Sequence, residues 1–141
     1  MVSCHGVFLS IFDRGVFIRG VPGIGKSKMA LELIQRGHFF ISDDLVVFDI
    51  FNNMIFGYKI VGRRYILMIR EYGNINVDEI YPHSCMSSSR LSFIINLSDK
   101  MSDDLPRNFY MNTIRYSEYN LCINNNISPS LMIESIVREY S

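Results

Sequence analysis

With 141 residues, 14 basic and 14 acidic side chains and a net charge of zero, the chain has the length of one domain, over 1–141, and no electrostatic bias toward nucleic acid. Three cysteines, Cys4, Cys85 and Cys122, are odd in number and lack C-x-x-C spacing, which argues against both a disulfide framework and a zinc site. No stretch approaches the ~18 apolar residues of a membrane span and no basic segment leads into a long apolar run at the start, so the expectation is a cytoplasmic protein.

Val7 to Phe12 is an apolar run stopped by Asp13-Arg14-Gly15, and the run Gly15 to Arg19 follows at once, which is a hairpin signal. The second strand leads into Gly20-Val21-Pro22-Gly23-Ile24-Gly25-Lys26-Ser27, which fits the phosphate-binding pattern G-x-x-x-x-G-K-[ST] at every defined position. Its glycines let the backbone curl tightly enough to aim N–H groups at a polyphosphate, and the helix that follows adds the positive end of its dipole. Lys26 is expected to reach the β and γ phosphates of ATP, and Ser27 to place its hydroxyl on Mg²⁺, a hard cation that takes oxygen ligands. A Gly-rich turn matching by chance is the bland alternative. The flanks argue against it, because strand, loop and helix occur in the required order.

The helix runs from about Lys26 to Arg36 with Gly37 as its left-handed terminator, and Met29, Ala30, Leu33 and Ile34 share the face expected to pack on a sheet. Phe39-Phe40-Ile41 forms a strand that delivers Ser42-Asp43-Asp44 to its C-terminal end, where α/β folds gather their chemistry. Two adjacent carboxylates divide labour there, one holding Mg²⁺ and one taking the proton of an attacking hydroxyl.

Leu45 to Phe51 and Met54 to Tyr58 flank Asn52-Asn53 as a second hairpin, and Ile66 to Ile69 is a further apolar segment. Arg70 to Val77 has the composition of an active-site loop, and Pro82 to Ser89 that of a mobile one. Leu91 to Leu97 reads as a central strand, and Ser98 to Arg107, with Asp99, Asp103 and Asp104, as a solvated loop. Tyr110 to Tyr116 and Tyr119 to Ile123 suit edge strands. A last helix starts with Ser128 as N-cap and Pro129 at N1, places Leu131, Ile133, Ile136, Val137 and Tyr140 on its apolar side, and pairs Glu134 with Arg138.

Taken together, His5-Gly6-Val7, the glycine-rich loop, Ala30 to His38, Asp43-Asp44, and Ile69-Arg70 with Gly73 and Ile75-Asn76-Val77 resemble the catalytic domain of HPr kinase/phosphorylase. Arg90 to Leu97 and Asp104-Leu105-Pro106 extend the likeness, in the manner of a short form without the N-terminal domain. The resemblance implies an α/β P-loop kinase fold related to that of phosphoenolpyruvate carboxykinase: a mixed β-sheet with a P-loop helix and a C-terminal helix. It further implies an ATP- and Mg²⁺-dependent kinase that phosphorylates a serine of HPr, the small carrier of the sugar phosphotransferase system. By position, Lys26 and Ser27 keep the roles above, Asp44 is the acid/base residue and His5 matches an active-site histidine, which leaves Asp43 of the carboxylate pair as the metal ligand. A lone histidine carries no such meaning by itself.

The chain departs from the family pattern in three places. A metal-binding glutamate is expected just before Ile69-Arg70, where Met68 stands; a thioether is a poor ligand for a hard cation, so the contact is lost or moves to Asp43 or Glu71. The arginine expected near Asp104-Leu105-Pro106 is absent, with Arg107 the nearest substitute, and the arginine-rich C-terminal loop that longer members use in dephosphorylation has no counterpart. These departures point to a kinase without phosphorylase activity. They also motivate two other readings, a nucleotide-binding regulator with weakened catalysis and a P-loop kinase of a small metabolite, since the loop and the Asp pair do not specify the acceptor. The longer relatives are hexamers, which leaves a homo-oligomer open.

Overall fold

The computed structural model describes residues 1–100, 106–124 and 127–141. The Asp103 and Asp104-Leu105 positions lie outside the described residues.

The longest strand, β9 (Ser88–Ser98), is the axis of a mixed sheet. Along one edge it runs parallel to β3 (Arg14–Gly20), with Gly15 opposite Leu91 and Gly20 opposite Leu97. Its other edge is shared. Ser88 to Arg90 pair antiparallel with β6 (Met54–Tyr58), and Ile94 to Ser98 pair parallel with β11 (Ile114–Cys122). Beyond β3 lie β2 (Val7–Ile11) and β4 (Phe39–Ser42); beyond β6 lie β5 (Leu45–Phe51) and β1 (Val2–His5), all antiparallel. β10 (Arg107–Met111) pairs with β11, while β7 (Ile66–Ile69) and β8 (Gly73–Asn76) form a separate ribbon. The helices are α1 (Lys26–Gln35), the one-turn α2 (Val77–Ile80) and α3 (Pro129–Tyr140).

Side chains alternate between two faces along a strand, and the central strands fill both. Val7, Leu9, Val16, Ile18, Phe93 and Ile95 join Met29, Ala30, Leu33 and Ile34 of α1 and Ile133 and Val137 of α3 in one core. Phe8, Phe17, Leu91 and Ile94 point the other way, onto Val46, Phe48, Ile55 and Met111. Gly57 is required by this second core, because a Cβ there would come within 2.4 Å of the Phe8 ring. The expected apolar face of α1 is therefore the observed one, and Gly37 closes the helix at φ 100°.

Several expectations change on the structure. The first hairpin turns at Phe12 and Asp13, both with positive φ, while Gly15 lies inside β3, where a Cβ would sit 2.2 Å from the Arg90 carbonyl oxygen. Arg70 to Val77 is no loop; it contains β8 and begins α2. Pro82 to Ser89 is tied to β4, since Phe40 donates to Ser84 O (2.7 Å) and accepts from Met86 N–H (3.0 Å). Tyr110 to Tyr116 spans a turn at Asn112-Thr113, and Tyr119 to Ile123 continues the same β11. Strand β1 has no counterpart among the expected elements.

In α3, Ser128 and Pro129 take the N-cap and N1 places, but the Ser128 side chain makes no capping hydrogen bond, and Leu131 and Tyr140 are exposed. The expected Glu134–Arg138 pair is replaced by tertiary contacts. Buried Glu134 accepts from Arg36 Nη2 (2.5 Å) and meets His38 Nε2 (2.6 Å), while the Arg138 guanidinium lies 4.5 Å from the Phe12 ring centre. A partly desolvated partner outcompetes an exposed i,i+4 contact worth only a few tenths of a kcal/mol.

Candidate functional site

The glycine-rich loop leaves the C-terminal end of β3 at Gly20 and enters α1 at Lys26. Gly23 (φ 84°) and Gly25 (φ 106°) occupy the left-handed region that favours glycine, and Ile24 N–H bonds back to Val21 O at 3.2 Å. The first N–H groups of α1 have no acceptor within their own helix, so the loop ends on uncommitted donors. Lys26 folds back, its Nζ donating to Gly20 O (2.6 Å) and Val21 O (3.1 Å). Burial lowers its pKa and Asp43 works in the opposite direction.

Asp43 and Asp44 follow β4 and face different surroundings. Asp43 Oδ2 accepts from Ser27 Oγ (2.9 Å) and Met68 N–H (3.4 Å), and Oδ1 accepts from Asp44 N–H (2.8 Å). Burial pushes its pKa up, and these hydrogen bonds pull it back. Asp44 has φ 74°, a left-handed geometry that Asp tolerates better than most residues, and its side chain is 81% exposed. Its carbonyl accepts from Gly6 N–H (3.1 Å), and its Oδ1 lies 3.8 Å from His5 Nδ1 at the end of β1. Thus β1, unforeseen as a strand, is what brings His5 to Asp44.

These groups line one cleft of ≈ 830 Å³. Gly20, Pro22, Lys26 and Ser27 of the loop line it with His5, Asp43 and Asp44; Val21, Gly23, Ile24 and Gly25 belong to the loop without lining the cleft. Arg70 stands against the loop, its Nη1 3.1 Å from where a Cβ on Gly23 would lie. Met68 lines the cleft, but its side chain is exposed and its contribution to Asp43 is a backbone N–H. Neither Glu71 nor Arg107 is a lining residue. Lys59, Arg63 and Arg64 are, and sequence reasoning missed them, although three cations within six residues were a signal.

The donor set suits Mg²⁺. Ser27 Oγ donates a hydrogen bond to Asp43 Oδ2, so the two stand side by side, and both are hard oxygen ligands.

A model of the HPr Serine kinase C-terminal domain matches residues 1–141. The chain belongs to that family. It is 42% identical over 109 residues to the HPr kinase/phosphorylase of Streptococcus mutans, covering 73% of this chain and 35% of that protein. With the Mycoplasmopsis pulmonis HPr kinase/phosphorylase it shares 34% over 99 residues, 70% of this chain and 32% of the relative. It therefore spans about a third of the length of the curated relatives it matches. The solved Hpr(Ser) kinase/phosphatase of Coxiella burnetii superposes with a TM-score of 0.92 at 27% identity, over 99% of this chain and 90% of that one. The mixed sheet and C-terminal helix expected from the likeness to HPr kinases are the architecture of this member too. No helix among the described residues is long and apolar enough to cross a membrane.

Proposed function

We propose that this member of the HPr kinase family is an ATP- and Mg²⁺-dependent protein serine kinase acting in the cytoplasm on HPr or an HPr-like protein. The observation that carries the reading is the convergence of Lys26, Ser27 and Asp43 with Asp44 and His5 in one cleft. Lys26 and the loop N–H groups hold the β and γ phosphates, and Ser27 and Asp43 hold Mg²⁺, which neutralises charge on the transferring group when bound. Asp44 accepts the proton of the serine hydroxyl as its oxygen bonds to the γ phosphorus and the bond to the β-bridging oxygen breaks, releasing ADP. His5, its Nδ1 3.8 Å from Asp44 Oδ1, stands near the attacking group.

The forward direction is the one supported. The arginine that the family resemblance places near Asp104-Leu105-Pro106 has Arg107 as its nearest counterpart in sequence, which is not among the cleft residues, and the cations that do line the cleft, Lys59, Arg63 and Arg64, come from a different segment. Met68 favours a second reading, a nucleotide-binding regulator of weakened catalysis, because its thioether offers Mg²⁺ nothing. Turnover separates the two: transfer of the γ-phosphate to a serine of HPr supports the kinase, and ATP binding with no transfer supports the regulator.

A further inference from the structure

The cleft holds more cations than its carboxylates balance, and the nucleotide brings the missing anions. Lys26, Lys59, Arg63 and Arg64 line it against Asp43 and Asp44. A triphosphate carries more negative charge than Mg²⁺ and Lys26 together neutralise, and the two carboxylates add to the excess. Negative charge is therefore left over in a cleft with three further cations on its wall.

Those three belong to the segment between β6 and β7, which is held in shape by its own contacts. Lys59 N–H bonds to Ser87 O (3.0 Å), Arg63 N–H to Ile60 O (3.2 Å), Gly62 turns at φ 86°, and Ile66 N–H bonds to Arg64 O (3.0 Å). The Lys59 ammonium donates to Arg63 O and stands 4.7 Å from the Tyr65 ring centre. Arg64 reaches Glu79 at 2.6 Å. Arg63 differs from both, since it has no carboxylate within ion-pair distance among the described residues. Its exposed guanidinium keeps a planar fork of donors, which matches two phosphate oxygens at once.

The loop decides which phosphate is short of partners. Its N–H groups cradle the phosphates nearest to it and Lys26 reaches on to the β and γ phosphates, so the terminal phosphate has the fewest loop donors. We propose that Arg63 is a second ligand of that terminal phosphate, supplied by the Lys59–Tyr65 turn and not by the loop, with Lys59 and Arg64 adding longer-range attraction. A guanidinium there also stabilises the charge spread over the phosphoryl oxygens during transfer. The proposal rests on the kinase reading and assigns a further residue to its nucleotide site.

The test is calorimetric titration of the 141-residue chain, in Mg²⁺, with ADP and with a non-hydrolysable ATP analogue, for the unmodified protein, Arg63→Gln and Arg63→Lys. Arg63→Gln should weaken the triphosphate ~10-fold and the diphosphate less than ~2-fold. Arg63→Lys should fall between, because a point charge replaces the fork. Equal losses for triphosphate and diphosphate, or an unchanged triphosphate affinity, overturn the proposal. The side chain is exposed, so both variants should unfold at the same temperature as the unmodified protein when no nucleotide is present. A lower midpoint would assign Arg63 to the fold and also overturn it. No analogue binding by the unmodified chain sinks the nucleotide site and the kinase reading, whereas analogue binding without the triphosphate-selective loss sinks only the role of Arg63.

Discussion

Ser27 Oγ donates to Asp43 Oδ2 at 2.9 Å and so joins the first turn of α1 to the end of β4. Two oxygens held this way can serve one cation, and removing either should act on the same step. Ser27→Ala and Asp43→Asn should each raise the Mg²⁺ concentration needed for half-maximal activity, and the double variant should be little worse than the poorer single. A Mg²⁺ titration of the four proteins checks this. Fully additive effects would separate the two residues.

Lys26 is the lysine curled over the loop carbonyls Gly20 O and Val21 O, within reach of any phosphate the loop receives. Lys26→Ala should therefore abolish productive ATP binding in a protein that still folds, measured by calorimetry alongside circular dichroism. Unchanged affinity and turnover would contradict the loop assignment.

Met68 is 64% exposed and its backbone N–H reaches Asp43, so a polar side chain of similar length at this position meets solvent beside the Ser27–Asp43 pair proposed to hold Mg²⁺, without disturbing a core. Met68→Glu should raise activity at limiting Mg²⁺ and change little at saturating Mg²⁺, because it adds a carboxylate oxygen where a sulfur stands. The comparison needs only initial rates at two Mg²⁺ concentrations.

Glu134 binds α3 to the end of α1 through Arg36 and His38, and its pKa is held down from 4.5 to about 2, chiefly by the hydrogen bond from Arg36. A carboxyl with a lower pKa folded than unfolded contributes stability above its unfolded value, and that contribution fades as pH falls from about 4.5 toward about 2. Glu134→Gln should cost roughly 1–3 kcal/mol at neutral pH, and the gap should close across that acid window. Urea midpoints of both proteins against pH would show it.

What could be read from the chain was what its neighbours in sequence determine. The loop from Gly20 to Ser27, the face of α1 and the delivery of Asp43 and Asp44 by β4 each rest on spacing within a few residues. Glu134 was misassigned because the i,i+4 rule sees one helix, whereas its partners lie 98 and 96 residues away. The turn at Asn112-Thr113 was missed because it contains no glycine, although Asn tolerates its φ of 51°. Lys59 and Arg63 become cleft residues only because β6 pairs with the start of β9 and the following turn faces the loop's cleft, a placement that no local pattern encodes.

The central claim is transfer of a phosphoryl group to a protein serine with Asp44 as base. It is tested most directly with γ-labelled ATP and HPr, with and without Mg²⁺, comparing the unmodified chain with Asp44→Asn. Asparagine suits the left-handed backbone at this position, so the variant isolates loss of the base. The account predicts Mg²⁺-dependent labelling of a serine in HPr, reduced ~10²–10⁴-fold by Asp44→Asn while ATP still binds. Labelling at an undiminished rate in Asp44→Asn, or none by the unmodified chain with ATP and Mg²⁺ bound, would contradict it.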